Sequence, residues 1–169
     1  KGGTPLPHGA PAWFQAEGNA NDRISVHNHW AVHNGATFAP GKVGQALLLD
    51  GVDDSVRAPA NSIFAADDVL TIETWIHPTG QGSPSAGGII VNKEGEYENG
   101  RLPNGTIRWA FANTSPGWNW TDTGFVAPQD EWTHIAIVYD HGVVTTYAIG
   151  TAVHTLNGSG SIGDVSPNL

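Results

Sequence analysis

The clearest alternation in the chain runs from Val69 to His77. Leu70, Ile72, Thr74 and Ile76 fall on one face of an extended segment, and Thr71, Glu73 and Trp75 on the other. Trp132 to Tyr139 predicts a second long strand, with His141-Gly142 as its turn. Val143 to Ile149 and Ala152 to Leu156 then complete a meander. Gly88 to Asn92 is rich in β-branched residues and reads as a short buried strand. Asn104-Gly105 is a hairpin signal between Arg101-Leu102 and Thr106 to Ala112, where Ile107, Trp109 and Phe111 share a face. Nearer the start, shorter strands are predicted at Ala12–Ala16, at Ala46–Leu49 before the turn Asp50-Gly51, and at Ser55–Ala58. Between them, Glu17 to Asn34, Gly80 to Gly88, Glu94 to Gly100, Asn113 to Gly124 and Asn157 to Asn168 read as loops. Only Ser62 to Asp67 suggests a helical turn, and no window sustains a 3.6-residue period. The pattern predicts an all-β fold, a two-sheet antiparallel sandwich or jelly roll.

Length and composition narrow the class further. A chain of 169 residues is long enough for one buried core. No apolar run approaches the roughly 18 residues of a membrane helix, so no membrane insertion is expected. The net charge of -9, with 7 Lys+Arg, argues against nucleic acid and anionic membrane surfaces as partners. The absence of Cys excludes disulfides, thiolate metal sites and a cysteine nucleophile. Low Lys with abundant Asn, Gly, Thr and Trp suits an exported β-protein, placed extracellularly or at a cell surface. Three Pro and three Gly in residues 1–11 read as a flexible arm ahead of a single domain over 12–169.

Several segments carry a family resemblance together. They are Ala12-Trp13-Phe14-Gln15-Ala16-Glu17-Gly18-Asn19-Ala20, Gly35 to Ala46, and Asp50-Gly51-Val52-Asp53-Asp54-Ser55-Val56. Leu70-Thr71-Ile72-Glu73-Thr74-Trp75-Ile76 and Glu131-Trp132-Thr133-His134-Ile135-Ala136 follow. In order and spacing they resemble the laminin G-like, concanavalin A-like jelly-roll domains of bacterial secreted and surface proteins. The resemblance implies that such domains continue, after a segment like Gly163-Asp164-Val165, into two further strands, the last of which pairs with the strand near Trp13. It therefore raises the expectation of a clipped domain, or of another protein chain supplying or covering that strand edge. Arg23 to His33 departs from the Gly-rich turn usual in such domains.

The resemblance also implies a structural Ca²⁺ where the N-terminal segment meets the turn near Asp50. Hard cations need clustered oxygen ligands. Glu17, Asp22, Asp50 and Asp53 are the candidate ligands, with Asp54 in the same turn as the last two. Equally, Asp50 and Asp53 would serve as caps of turn backbone.

Trp75, Trp109 and Trp132 fall in predicted strands and are expected in the core. Trp118 and Trp120 lie in a loop. Exposed indoles stack on the apolar faces of sugar rings, while Asn, Asp and Arg bind hydroxyls. Trp118, Trp120, Asn113, Asp122, Tyr97 and Arg101 are thus the candidate ligand-binding set. The alternative has one or both indoles folding back over the end of the sandwich. In a strand, Glu94, Glu96 and Glu98 would present three carboxylates to one face, as in some glucanases. Gly95, Asn99 and Gly100 favour a solvated loop instead, so no catalytic residue is assigned. His27, His29 and His33 have the spacing of a metal site, but three His in an Asn-rich loop suit solvent. No Gly-x-Ser-x-Gly elbow supports a hydrolase triad. Four Asn-x-Ser/Thr sequons, at Asn104, Asn113, Asn119 and Asn157, read as turns. The expected function is non-catalytic recognition of a glycan or surface polymer, with structural or adhesive assembly as the second class.

Overall fold

The computed structural model describes residues 9–59 and 62–163. The expected arm falls outside the described residues up to position 8, and so does the segment after Gly163. The chain groups into two compact units that divide between Phe64 and Ala65.

The first unit holds four short strands in two antiparallel ribbons. β1 (Ala31–His33) pairs with β4 (Ser55–Arg57), and β2 (Thr37–Pro40) with β3 (Gln45–Leu48). β1 and β2 were not expected from the sequence; at three and four residues each is too short to show alternation. A 3-10 turn at Val26–Asn28 is capped by Ser25, whose hydroxyl accepts the His27 N–H. The predicted strand Ala12–Ala16 does not form. Only Phe14 bridges to Asp22, because the chain turns at Ala16 with a φ of 57°. Phe14 packs on Trp30, ring centroids 3.9 Å apart.

After a 3-10 turn at Ser62–Phe64, the second unit is a sandwich of two four-stranded antiparallel sheets. One sheet runs β12 (Thr151–Asn157), β11 (Val143–Ala148), β10 (Thr133–Asp140), β5 (Val69–Ile76). The other runs β6 (Gly88–Lys93), β7 (Tyr97–Arg101), β8 (Thr106–Phe111), β9 (Thr121–Val126). The predicted alternation in β5 is realised: Leu70, Ile72 and Ile76 pack on the core, while Glu73 and Trp75 face outward. β10 repeats the rule, burying Ile135, Ile137 and Tyr139.

The core joins side chains of both sheets. Tyr97, Ile107, Trp109 and Phe111 meet Ile135, Ile137, Tyr139, Val144 and Ala148. Phe111 stands between Trp109 and Tyr139, at centroid distances of 5.5 and 4.9 Å. Each large side chain buried here contributes on the order of 1.5–3 kcal/mol. Trp109 is fully buried as expected, whereas Trp75 is 44% exposed on the outer face of β5. Trp132 is half-buried against His77.

Two turns require glycine. Gly105 closes the β7–β8 hairpin with a φ of 93°, next to Asn104, whose side chain accepts the Thr106 N–H. Gly142, also at 93°, ends the β10 turn; a Cβ there would lie 2.3 Å from the Ser159 backbone.

β7 and β9 were read as loops, and both are strands. β7 is half polar, and its Asn99 and Arg101 are buried because distant groups receive them. Asn99 accepts the Val91 N–H, and Arg101 donates to the Ala127 and Gly80 carbonyls.

Candidate functional site

The inner faces of β7 and β8 are fixed by the core residues Tyr97, Ile107, Trp109 and Phe111. Strand periodicity therefore turns Glu98, Arg108 and Ala110 to the opposite face, where Ala110 is fully buried and Glu98 and Arg108 are half-buried. Register places Asn92 opposite Glu98, Glu98 opposite Ala110, and Arg108 opposite both Gly100 and Asp122. Trp120, just before β9, completes this face.

The guanidinium carbon of Arg108 lies 4.1 Å from the centre of the Trp120 ring. Arg108 also donates from Nη2 to the Ala86 carbonyl at 2.8 Å. Gly100, beside it in register, carries no side chain. The stack fixes the indole while leaving it 38% exposed. Asp122, Asn92 and Glu94 are exposed, and Asn92 donates to Glu94 at 3.3 Å. Burial pushes the Glu98 carboxyl up from its ordinary range; the charge of Glu94 adds to this and that of Arg108 opposes it. The face thus combines an oriented aromatic platform, carboxylate acceptors, an amide and a cation.

The sequence-predicted ligand set divides. Trp120 and Asp122 lie on this face, and Trp118 is half-buried in the loop before it. Asn113, Tyr97 and Arg101 do not belong to it. Asn113 is fully buried; it donates to the Ser115 carbonyl at 2.9 Å and accepts the Gly117 N–H at 3.0 Å. It shapes the Trp118–Trp120 loop rather than facing a ligand, and Asn119 helps by donating to the Pro116 carbonyl at 2.7 Å. Tyr97 is in the core, where burial pushes its phenol up. Arg101 is spent on backbone carbonyls. Arg108 was missed, although its place between Ile107 and Trp109 marked it as the outward residue of a strand.

Glu94, Glu96 and Glu98 do not share a face. Glu94 and Gly95 lie in the turn between β6 and β7. Glu96 turns away to Lys93 and accepts the Ala66 N–H.

The proposed metal ligands divide as well. Asp22 is buried and saturated: it accepts the N–H groups of Trp13 and Ile24, both at 2.9 Å, and the Asn28 amide at 3.0 Å. Glu17 sits over Gly44. Asp50, Asp53 and Asp54 do come together, with one carboxylate oxygen of each within 4.8 Å of the others. Asp50 Oδ1 accepts the N–H groups of Val52, Asp53 and Asp54 at 2.9, 3.4 and 3.4 Å. Asp54 Oδ2 accepts the Asp50 N–H at 2.9 Å. Both roles expected for this turn are therefore compatible, since each carboxylate keeps a second oxygen for a hard cation. His27, His29 and His33 form no metal cluster among the described residues; His29 Nδ1 accepts the Asp22 N–H.

With the sandwich and its outer face established, comparison with known proteins places the chain. The laminin G-like family model described as the concanavalin A-like lectin/glucanases superfamily matches residues 50–168. The chain belongs to this family. Comparison with curated protein sequences returns no match. Among solved structures, domain 4 of AbnA, a GH43 extracellular arabinanase from Geobacillus stearothermophilus, in complex with arabinotriose, is similar at a TM-score of 0.60 and 19% identity. The match covers 86% of this chain and 78% of that one. The binding domain of Paraclostridial Mosquitocidal Protein 1 is similar at a TM-score of 0.70 and 13% identity. The botulinum neurotoxin serotype G binding domain is similar at 0.61 and 14%. Each of these two matches covers 84% of this chain, which spans only 39% of either toxin domain. At such identities the likeness is one of fold.

Proposed function

We propose that this domain is a non-catalytic, extracellular carbohydrate-binding module whose ligand lies on the outer face of β7, β8 and β9. The observation that carries the reading is the Arg108–Trp120 stack. An indole held in place loses little freedom when a sugar ring packs on it, so more of the contact appears as affinity. Asp122, Glu98 and Asn92 surround the stack with hydrogen-bonding groups for sugar hydroxyls. The extracellular arabinanase domain in complex with arabinotriose supports the choice of ligand class and of location. No helix among the described residues is long and apolar enough to cross a membrane. The binding domains among the similar structures support a non-catalytic role.

Titration of the ¹⁵N-labelled chain with arabinotriose and with xylo- and gluco-oligosaccharides tests this. The Trp120 indole N–H and the Arg108 side chain should shift on binding, while the Trp75 indole N–H on the other sheet should not. Shifts confined to the Trp75 face would move the site, and the absence of any shift would leave structural or adhesive assembly as the function.

A further inference from the structure

The charges around the stack say which glycans fit. From Ala65 onward the chain carries three cations, Lys93, Arg101 and Arg108, against eleven acids. Lys93 contacts Glu96 and shares the inner register position with Tyr97, and Arg101 is buried on carbonyls. Among the described residues of this unit, Arg108 is thus the cation of the outer face. It is already engaged by the Ala86 carbonyl and the Trp120 ring. Around it stand Glu98, Glu94 and Asp122.

We infer that the site accepts uncharged oligosaccharides and rejects anionic ones, with Glu98, Glu94 and Asp122 as the selectivity residues. The inference rests on the glycan-binding reading above. A uronate or sialate carboxylate brought to the Trp120 platform meets three like charges and one cation whose fork is partly used. Like charges placed together at an interface exclude wrong partners more effectively than they weaken right ones. A neutral sugar presents only hydroxyls, which donate to the same carboxylates. The half-buried Glu98 benefits most, because a donor hydroxyl replaces water that burial has removed.

The discriminating experiment is calorimetric titration of the full chain with two sets of probes, at low salt and at about three times physiological ionic strength. The neutral set is arabinotriose and xylo- and gluco-oligosaccharides. The anionic set is oligogalacturonate and sialyllactose. Neutral probes should bind at least about tenfold more tightly at low salt. Salt should leave their affinity unchanged and should raise any residual affinity for the anionic set, because it screens repulsion. Glu98→Gln with Asp122→Asn, which keeps shape and removes charge, should strengthen anionic binding by about tenfold. Anionic probes that bind as tightly as neutral ones, or that weaken as salt rises, would overturn the inference while keeping the glycan site. Silence from both sets removes the glycan site itself, and the selectivity with it.

Discussion

Arg108 on β8 and Trp120 at the entry to β9 form one unit: the guanidinium carbon sits 4.1 Å from the indole centre. Two consequences follow from that contact. The indole is held in a fixed orientation, and Arg108, the cation of the face among the described residues, is used to hold it.

Removing the support should therefore weaken binding. A cation–π contact at an exposed site is worth about 0.5–1 kcal/mol, which corresponds to a loss of roughly two- to fivefold in affinity. Arg108→Ala should show this loss by calorimetry. Arg108→Lys should not fully restore it, since an ammonium cannot both lie flat on the ring and reach Ala86.

Asp22 should be a stability residue rather than a metal ligand. Burial pushes its carboxyl up, but the N–H groups of Trp13 and Ile24 and the Asn28 amide outweigh that and hold it below the ordinary range. A lowered native pKa gives stability that is present above the unfolded value of about 3.9 and is lost as pH falls through the native one. Asp22→Ala should cost about 1–3 kcal/mol at neutral pH, the penalty for stranding buried donors. Hydrogen exchange at the Trp13 and Ile24 amides should accelerate in the variant, and acid should reduce the difference from wild type. Unchanged protection would mean the loop is held by other contacts.

Calcium remains a proposal for the Asp50, Asp53 and Asp54 turn alone. An ion bound only by the native state stabilises by mass action, about 2.7 kcal/mol at a hundredfold excess over its Kd. Chelator should lower the melting temperature, and Ca²⁺ rather than Mg²⁺ should restore it. Asp53→Asn should abolish the response while sparing the backbone hydrogen bonds made by Asp50. A melting curve indifferent to chelator would leave these residues as turn caps.

His141 gives a pH dependence of the opposite sign. Its hydrogen bond with Asp140, 2.6 Å, raises its pKa against an opposing desolvation; the charges of Asp140 and Asp68 add to the rise. A raised native pKa gives stability that is fully present below the unfolded value of about 6.5 and is lost as pH climbs through the native one. The His141 ring should titrate by NMR above the range of an ordinary histidine. Asp140→Asn should bring it back down.

The sandwich was legible where burial follows the local period. Val69–Ile76 and Thr133–Asp140 alternate because one face of each meets the core. β7 was not legible, because Asn99 and Arg101 are buried by hydrogen bonds to Val91, Ala127 and Gly80, which no local window displays. The same blindness affected the site. Asn113, Tyr97 and Arg101 have the chemistry of sugar contacts, but long-range packing assigns them to the loop and the core. Trp120 was found because an indole in a polar loop stands out. Arg108 is absent from the expected set although the strand over Thr106 to Ala112, with Ile107, Trp109 and Phe111 on one face, leaves it on the other. For the ions, Asp50 and Asp53 share a turn of local sequence and came together, whereas the positions of Glu17 and Asp22 depend on contacts at Gly44, Trp13 and Asn28.

Trp120 is the proposed platform for a glycan. The most direct measurement is the affinity of wild type and Trp120→Ala for the tightest-binding neutral oligosaccharide, with Trp75→Ala as control and melting temperature recorded for all three. Loss of a base- or sugar-sized stacking contact on an oriented aromatic is worth on the order of 1–3 kcal/mol, or roughly tenfold and more in Kd. Trp120→Ala should show that loss while staying folded, with at most the small drop in melting temperature that loss of the Arg108 stack implies, and Trp75→Ala should show no loss of affinity. Retained affinity in Trp120→Ala, or unfolding of that variant, would contradict the platform role.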